Sequence, residues 1–179
     1  MSINDNGIVD TLKECPENGF RMLMMKYQEP VYWHIRRLVV SHDDAQDASQ
    51  ETFVRIYRSF GNYRGDCSLR SWIYRIATNE ALRIISKRRQ EVVSIESETT
   101  GVNLIQGDDY IDFDDKVAVK LQKAILSLPP KQQLAFNMRY YDELEFDEIA
   151  KVADSTPASI KASYHVAKEK IIKYMNSND

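Results

Sequence analysis

Phe146–Lys170, FDEIAKVADSTPASIKASYHVAKEK, has the pattern of two short helices joined by a tight turn. The first directs Ile149, Ala150 and Ala153 toward a core, and small Ala150 allows a close helix crossing. The second opens at Thr156, a favourable N-cap, with Pro157 at the first helical position, where its missing N–H costs nothing. Ile160, Tyr164, Ala167 and Ile171 then recur at spacings of four, three and four, which defines one buried face. Ser159, Lys161, Ala162, Ser163 and His165 are left facing outward near the N-terminus of the second helix. Small polar and basic groups there suit a helix that enters a DNA major groove and meets phosphate with its N-terminus. An ordinary helical hairpin within a bundle would share the apolar pattern.

Charge is distributed unevenly around this stretch. The net charge of −3 over 179 residues hides two mildly basic blocks and an acidic one. Residues 16–90 hold thirteen Lys/Arg against eight Asp/Glu, residues 91–115 hold eight acids and no base, and residues 116–179 hold ten bases against eight acids. Two basic blocks separated by acid point to a nucleic-acid candidate that the net value conceals. No apolar run approaches the ~20 residues of a membrane span. The polar N-terminus is unlike a signal peptide, so a cytoplasmic location is expected. Cys15 and Cys67 are far apart and carry no metal-ligand spacing.

Upstream, Asn18–Val40 reads as helical, with Phe20, Leu23, Met24, Tyr27, Val31, Ile35 and Leu38 on one stripe and Pro30 expected to split or kink it. Ser41 with Asp44 resembles a capping box, and the helix that follows runs to about Phe60. Its expected buried positions are Ala48, Thr52, Phe53, Ile56 and Tyr57. Another face of this helix carries Asp44, Asp47 and Glu51 with Gln50 alongside, a ridge for a basic partner or a solvated charged face. The helix dipole favours acids at that end in either case. A metal centre on Asp43, Asp44, Asp47 and Glu51 would lack the Glu-x-x-His pairs usual in helical di-metal sites.

Gly61–Ser68 reads as a loop, followed by a long helix in which Leu69, Ile73, Ile76 and Ile84 face a core. Arg75, Asn79, Arg83 and Lys87 recur every fourth residue on another face, with Arg88 and Arg89 beyond and Tyr63, Trp72 and Tyr74 beside it. Interleaved bases and rings suit single-stranded nucleic acid, whose backbone follows the charge while unstacked bases lie on the rings. Glu91–Asp115 lacks a sustained period and reads as an interdomain linker. Helical pattern resumes with Val117, Leu121, Ala124, Ile125 and Leu128, and Pro129-Pro130 closes that helix and opens the next.

The order of these features resembles the bacterial RNA polymerase sigma factors of the extracytoplasmic-function (ECF) type. DAQDASQETFVRIYRSF is similar to that family's core-binding helix, and YRGDCSLRSWIYRIATNEALR to its promoter-melting segment. LSLPPKQQLAFNMRYYDELEFDEIAKVA with STPASIKASYHVAKEKI is similar to its C-terminal helix-turn-helix. The resemblance implies an all-α fold of two small helical domains joined by an acidic linker. Its divisions are an N-terminal tail (1–17), sigma region 2 (18–90), the linker (91–115) and sigma region 4 (116–179).

By the same resemblance Asp44, Asp47, Gln50 and Glu51 would dock on core RNA polymerase. Tyr63, Arg64, Trp72, Arg75, Asn79 and Arg83 would hold the melted minus-ten strand of promoter DNA, with one base captured by the Tyr63–Ser68 loop. Ser155, Thr156, Ser159, Lys161, Ala162 and His165 would lie at the minus-thirty-five element. An anti-sigma factor is an implied partner, and no catalytic site, metal or other cofactor is implied. Asp154 stands where the family usually has a turn glycine. Ser163 and Val166 stand where arginines are frequent, so fewer phosphate anchors are expected. A dimeric helix-turn-helix repressor would show a dimerisation helix, which the pattern lacks.

Overall fold

Capping side chains and prolines mark most of the helix starts. In the computed structural model, which describes residues 3–96 and 114–177, eight α-helices follow one another. They are α1 (Asp5–Glu14), α2 (Pro16–Val39), α3 (His42–Ser59), α4 (Leu69–Glu96), α5 (Lys116–Leu126), α6 (Pro130–Tyr140), α7 (Phe146–Val152) and α8 (Pro157–Asn176). A 3-10 turn covers Phe60–Asn62, and there is no strand among the described residues. The all-helical expectation therefore holds. Asn4, Ser41, Asp115 and Thr156 cap α1, α3, α5 and α8 by accepting first-turn backbone N–H groups. Pro16, Pro130 and Pro157 open their helices. Caps of this kind satisfy donors that a helix leaves orphaned.

Several expectations are corrected. Within the stretch 1–17, read as a tail, Asp5–Glu14 form α1, whose Ile8 and Leu12 are buried against α2. Pro30 does not split its helix: α2 runs through it, and the ring sits on the exposed side, so the helix gives up one hydrogen bond and continues. Residues 91–96, assigned to the linker, continue α4; residues 97–113 lie outside the described residues. Tyr57, expected among the buried positions of α3, is exposed, as is Val117 of the apolar pattern in α5. Each stands at an end of its apolar stripe, Tyr57 last in α3 and Val117 first in α5.

The core begins where α1 crosses α2. A Cβ on Gly19 would lie 2.4 Å from the Leu12 backbone nitrogen, so only glycine permits this approach. Asp5 then accepts from Lys26 Nζ at 2.6 Å and from the Tyr27 hydroxyl at 2.8 Å. Between α2 and α3 the chain reverses through Val40, whose φ of 68° and the 2.8 Å bond from Ser41 N to the Val39 carbonyl form a γ-turn. Ile35, Ala48, Ile56 and Ile73 fill the space between α2, α3 and α4. The same apolar cluster continues into Met138 and Leu144 of the α6 end and Ile149 of α7, so the two basic blocks share a seam. A second cluster, Ala124, Ile125, Phe136, Ala167 and Ile171, joins α5, α6 and α8.

Tyr27→Phe should destabilise the α1–α2 pairing by about 1–2 kcal/mol, because it leaves a part-buried carboxylate short of a donor. Burial, with Asp5 beside it, raises the Tyr27 phenol well above its ordinary value, and burial does the same to Tyr74. Both phenols favour folding only while protonated. Their contribution is complete below pH 10.0 and falls as pH rises beyond it. Thermal unfolding between pH 8 and 11 should show that alkaline decline, less steep in Tyr27→Phe. An identical profile in the two proteins would dismiss the phenol as its source.

Candidate docking and nucleic-acid surfaces

The acidic ridge on α3 is present, but its four members differ in what they already hold. Asp47 and Gln50 are exposed. Asp44 is half-buried and ion-paired with Arg88 of α4. Glu51 accepts from Arg55 Nε at 3.2 Å, and the same nitrogen lies 2.6 Å from Glu80 Oε1. Glu80 is a buried carboxylate of α4, and its second oxygen takes both Nε and Nη2 of Arg83. The acids proposed as a metal set are thus partly committed to arginines.

Beside the ridge, α2 and α3 diverge to leave an open groove of about 1680 Å³. Phe20, Met25 and Trp33 line one wall, and Phe53, Val54 and Tyr57 the other. Met25 is 74% exposed and Tyr57 53%. Exposed apolar area of this kind marks an interaction surface. Sequence reasoning missed it, although the signal was there: Met25, Trp33 and Val54 fall outside the core stripes of their helices.

The α4 row is as expected. Arg75, Asn79, Arg83, Lys87 and Arg89 are exposed along one helix, while Arg88 turns to Asp44. At its start, the rings of Phe60, Tyr63 and Trp72 cluster with centroids 5.3 to 6.3 Å apart. Tyr63 donates its hydroxyl to the Cys67 carbonyl at 2.7 Å, which closes the loop carrying exposed Arg64. Burial above all, with Cys67 next, raises the Tyr63 phenol above its ordinary value and keeps it a donor. Gly65, with φ of 78°, supplies the left-handed residue of the bend. Tyr74, expected beside this face, is instead buried against His34.

The helix-turn-helix is formed by α7 and α8. Asp154 adopts φ of 50° at the turn, the conformation expected of a residue in a glycine's place. Ser155 N–H donates back to the Ala150 carbonyl at 2.9 Å. Thr156 caps Ser159 N at 3.2 Å, and the Ser159 hydroxyl accepts from Lys131 Nζ at 2.7 Å. Thr156, Lys161, Ala162 and His165 face solvent, and Ser155 and Ser159 are half-buried. Ile160, Ala167 and Ile171 are buried as the spacing required, with Tyr164 half-buried among aromatic neighbours.

Among the described residues no helix is long and apolar enough to cross a membrane. Residues 23–91 match the family model described as Sigma-70 region 2, and residues 118–171 the one described as Sigma-70, region 4. The RNA polymerase sigma-H factor of Pseudomonas aeruginosa is 27% identical over 178 residues, covering 94% of this chain and 92% of that protein. The ECF RNA polymerase sigma-E factor of Escherichia coli K12 is also 27% identical over 178 residues, with 94% and 93% covered. The fold is shared with the sigma factor RpoE from Bartonella quintana, solved in complex with the anti-sigma factor NepR (TM-score 0.73, 17% identity, 89% of this chain and 98% of that one). It is shared equally with CnrH, solved with the cytosolic domain of CnrY (TM-score 0.75, 14% identity, 98% and 99%).

Proposed function

Because the chain belongs to the sigma-70 family of RNA polymerase sigma factors, in its extracytoplasmic-function branch, we propose that its three exposed surfaces divide the work of initiation among them. As a member it is a transcription initiation factor. It binds core RNA polymerase and directs it to specific promoters, trapping the melted minus-ten strand and reading the minus-thirty-five element. The proposal is the assignment of residues. Asp44, Asp47, Gln50 and Glu51 dock on core polymerase, with the apolar groove beside them extending the contact. Tyr63, Arg64, Trp72, Arg75, Asn79 and Arg83 hold the opened strand. Ser155, Thr156, Ser159, Lys161, Ala162 and His165 meet duplex DNA.

The observation that carries the reading is the exposed row Arg75, Asn79, Arg83 and Lys87 on one helix, set beside the Tyr63–Trp72 ring pair. Base–aromatic stacking is worth ~1–3 kcal/mol, comparable with the ~1.4 kcal/mol mean of a duplex stacking step. A few captured bases therefore offset the cost of opening, without a chemical fuel. An anti-sigma factor is the regulatory partner we infer, by analogy with the NepR complex of the Bartonella relative. The protein's place of action would then be the cytoplasm, with the polymerase.

Trp72→Ala should reduce promoter opening by roughly 5- to 150-fold, the equivalent of one lost stack. Permanganate reactivity of unpaired thymines, measured at saturating core polymerase, reads this directly. Polymerase association should stay normal, because Trp72 lies off the acidic ridge. Undiminished opening by a well-folded Trp72→Ala protein would remove the ring pair from the mechanism.

A further inference from the structure

Two surfaces assigned to DNA stand too close together in this structure to serve one promoter. The minus-ten and minus-thirty-five elements are separated by ~25 base pairs, about 85 Å of duplex at ~3.4 Å per pair. Yet the Ser68 hydroxyl, at the end of the loop assigned to the captured base, lies 3.3 Å from Glu148 Oε1 of α7. Helix α7 leads directly into α8, itself only ~30 Å long at 1.5 Å per residue. The blocks must separate before both elements are engaged.

One residue on the C-terminal side of the seam, Asp142, gathers several polar ties across it. Asp142 follows α6, and its carboxylate is 2% exposed. Oδ2 lies 2.9 Å from Nδ1 of His34, a fully buried residue of α2. A carboxylate only accepts, so that ring nitrogen donates. Oδ1 accepts from Arg37 Nη2 at 2.9 Å, and the Asp142 main-chain carbonyl accepts from Arg70 of α4. His34 Nε2 is 2.8 Å from the Thr78 hydroxyl of α4. The Arg37 guanidinium lies 4.5 Å over the Tyr141 ring. The N-terminal block thus presents three donors to one residue of the C-terminal block.

We propose that Asp142, with His34, Arg37 and Arg70, is a clasp that holds this sigma factor in a closed state unable to span a promoter. A buried ion cluster adds little net stability over an apolar contact, but it fixes one docking register and fails sharply when one partner is removed. Aspartate, histidine and arginine also take up water readily when parted. Opening also exposes the apolar cluster at Met138, Leu144 and Ile149, a cost to which the clasp adds. Core polymerase engages the open chain, so its apparent affinity falls with the fraction that is open. This rests on the initiation-factor reading above.

The test uses the full-length chain carrying Asp142→Asn and, separately, Arg37→Gln, whose side chain is 18% exposed and outside every assigned binding surface. Solution X-ray scattering should give a compact wild type and an increased radius of gyration for both variants, at unchanged helix content. Apparent affinity for core polymerase should rise by about threefold or more, up to ~10-fold for a chain that is one-tenth open. An unchanged radius in a folded variant, an expanded wild type, or expansion with no gain in affinity would each overturn the clasp. If Asp142→Asn fails to fold, Arg37→Gln decides alone. Failure of the wild type to bind polymerase would instead strike at the initiation-factor reading, while the scattering result still judges closure.

Discussion

Replacing Asp47 and Glu51 together with alanine is expected to weaken core-polymerase binding by roughly 30- to 100-fold while leaving the protein's own stability nearly unchanged. Glu51 loses only an exposed i,i+4 pair with Arg55, worth ~0.2–0.5 kcal/mol, and alanine's helix propensity offsets part of that. Arg55 remains held by Glu80. Asp47 is exposed. At the interface each lost charge should cost about 1–1.4 kcal/mol, at the modest end for interfacial pairs, and every 1.4 kcal/mol is a factor of ten. Asp44 is left in place because it pairs with Arg88, and its removal would disturb α4 as well. Titration of labelled core polymerase measures the effect. Wild-type affinity in a folded double variant would move the docking surface off the ridge and onto the groove alone.

Gly19→Ala should be the most damaging small substitution in the α1–α2 pair, lowering stability by about 3 kcal/mol. Overpacking costs ~1–3 kcal/mol where side chains can shift, and the upper end applies where they cannot. The added methyl would meet backbone atoms of Leu12, its Cα at 2.5 Å, which no rotamer change relieves. α1 must therefore lift, exposing Ile8 and Leu12 and parting Asp5 from Lys26 and Tyr27. For a chain of this length the midpoint of thermal unfolding should fall by roughly 6–12 °C. Amide exchange should localise the loss to residues 5–14. A midpoint within 1 °C of wild type would show that the helices do not cross this closely.

The helix-turn-helix was readable because local chemistry decides it. Thr156 and Pro157 start α8 wherever it packs, and the four-three-four spacing leaves one face to bury. The same holds for the α4 row, whose members share a side by helical geometry alone. Asp154 kept the left-handed turn despite the missing glycine. What escaped the sequence depends on distant neighbours. α1 is a 10-residue helix whose burial hangs on two side chains and on Gly19, and no periodicity of that length is persuasive. Tyr57 follows a core stripe, but among the described residues no element covers the open side of α3, so it lines a groove instead. The tie between His34 and Asp142 joins residues 108 positions apart, a distance at which pattern carries no information.

The groove between α2 and α3 also has a colloidal consequence. It presents Met25, Trp33, Val54 and Tyr57 to water, on a chain whose net charge of −3 offers little mutual repulsion between molecules. Two free copies that meet groove to groove would cover apolar area at the expense of solubility. A protein built this way is best kept scarce or occupied: every molecule in excess of its partners raises the chance of self-association, and supply matched to demand becomes a physical requirement of the surface.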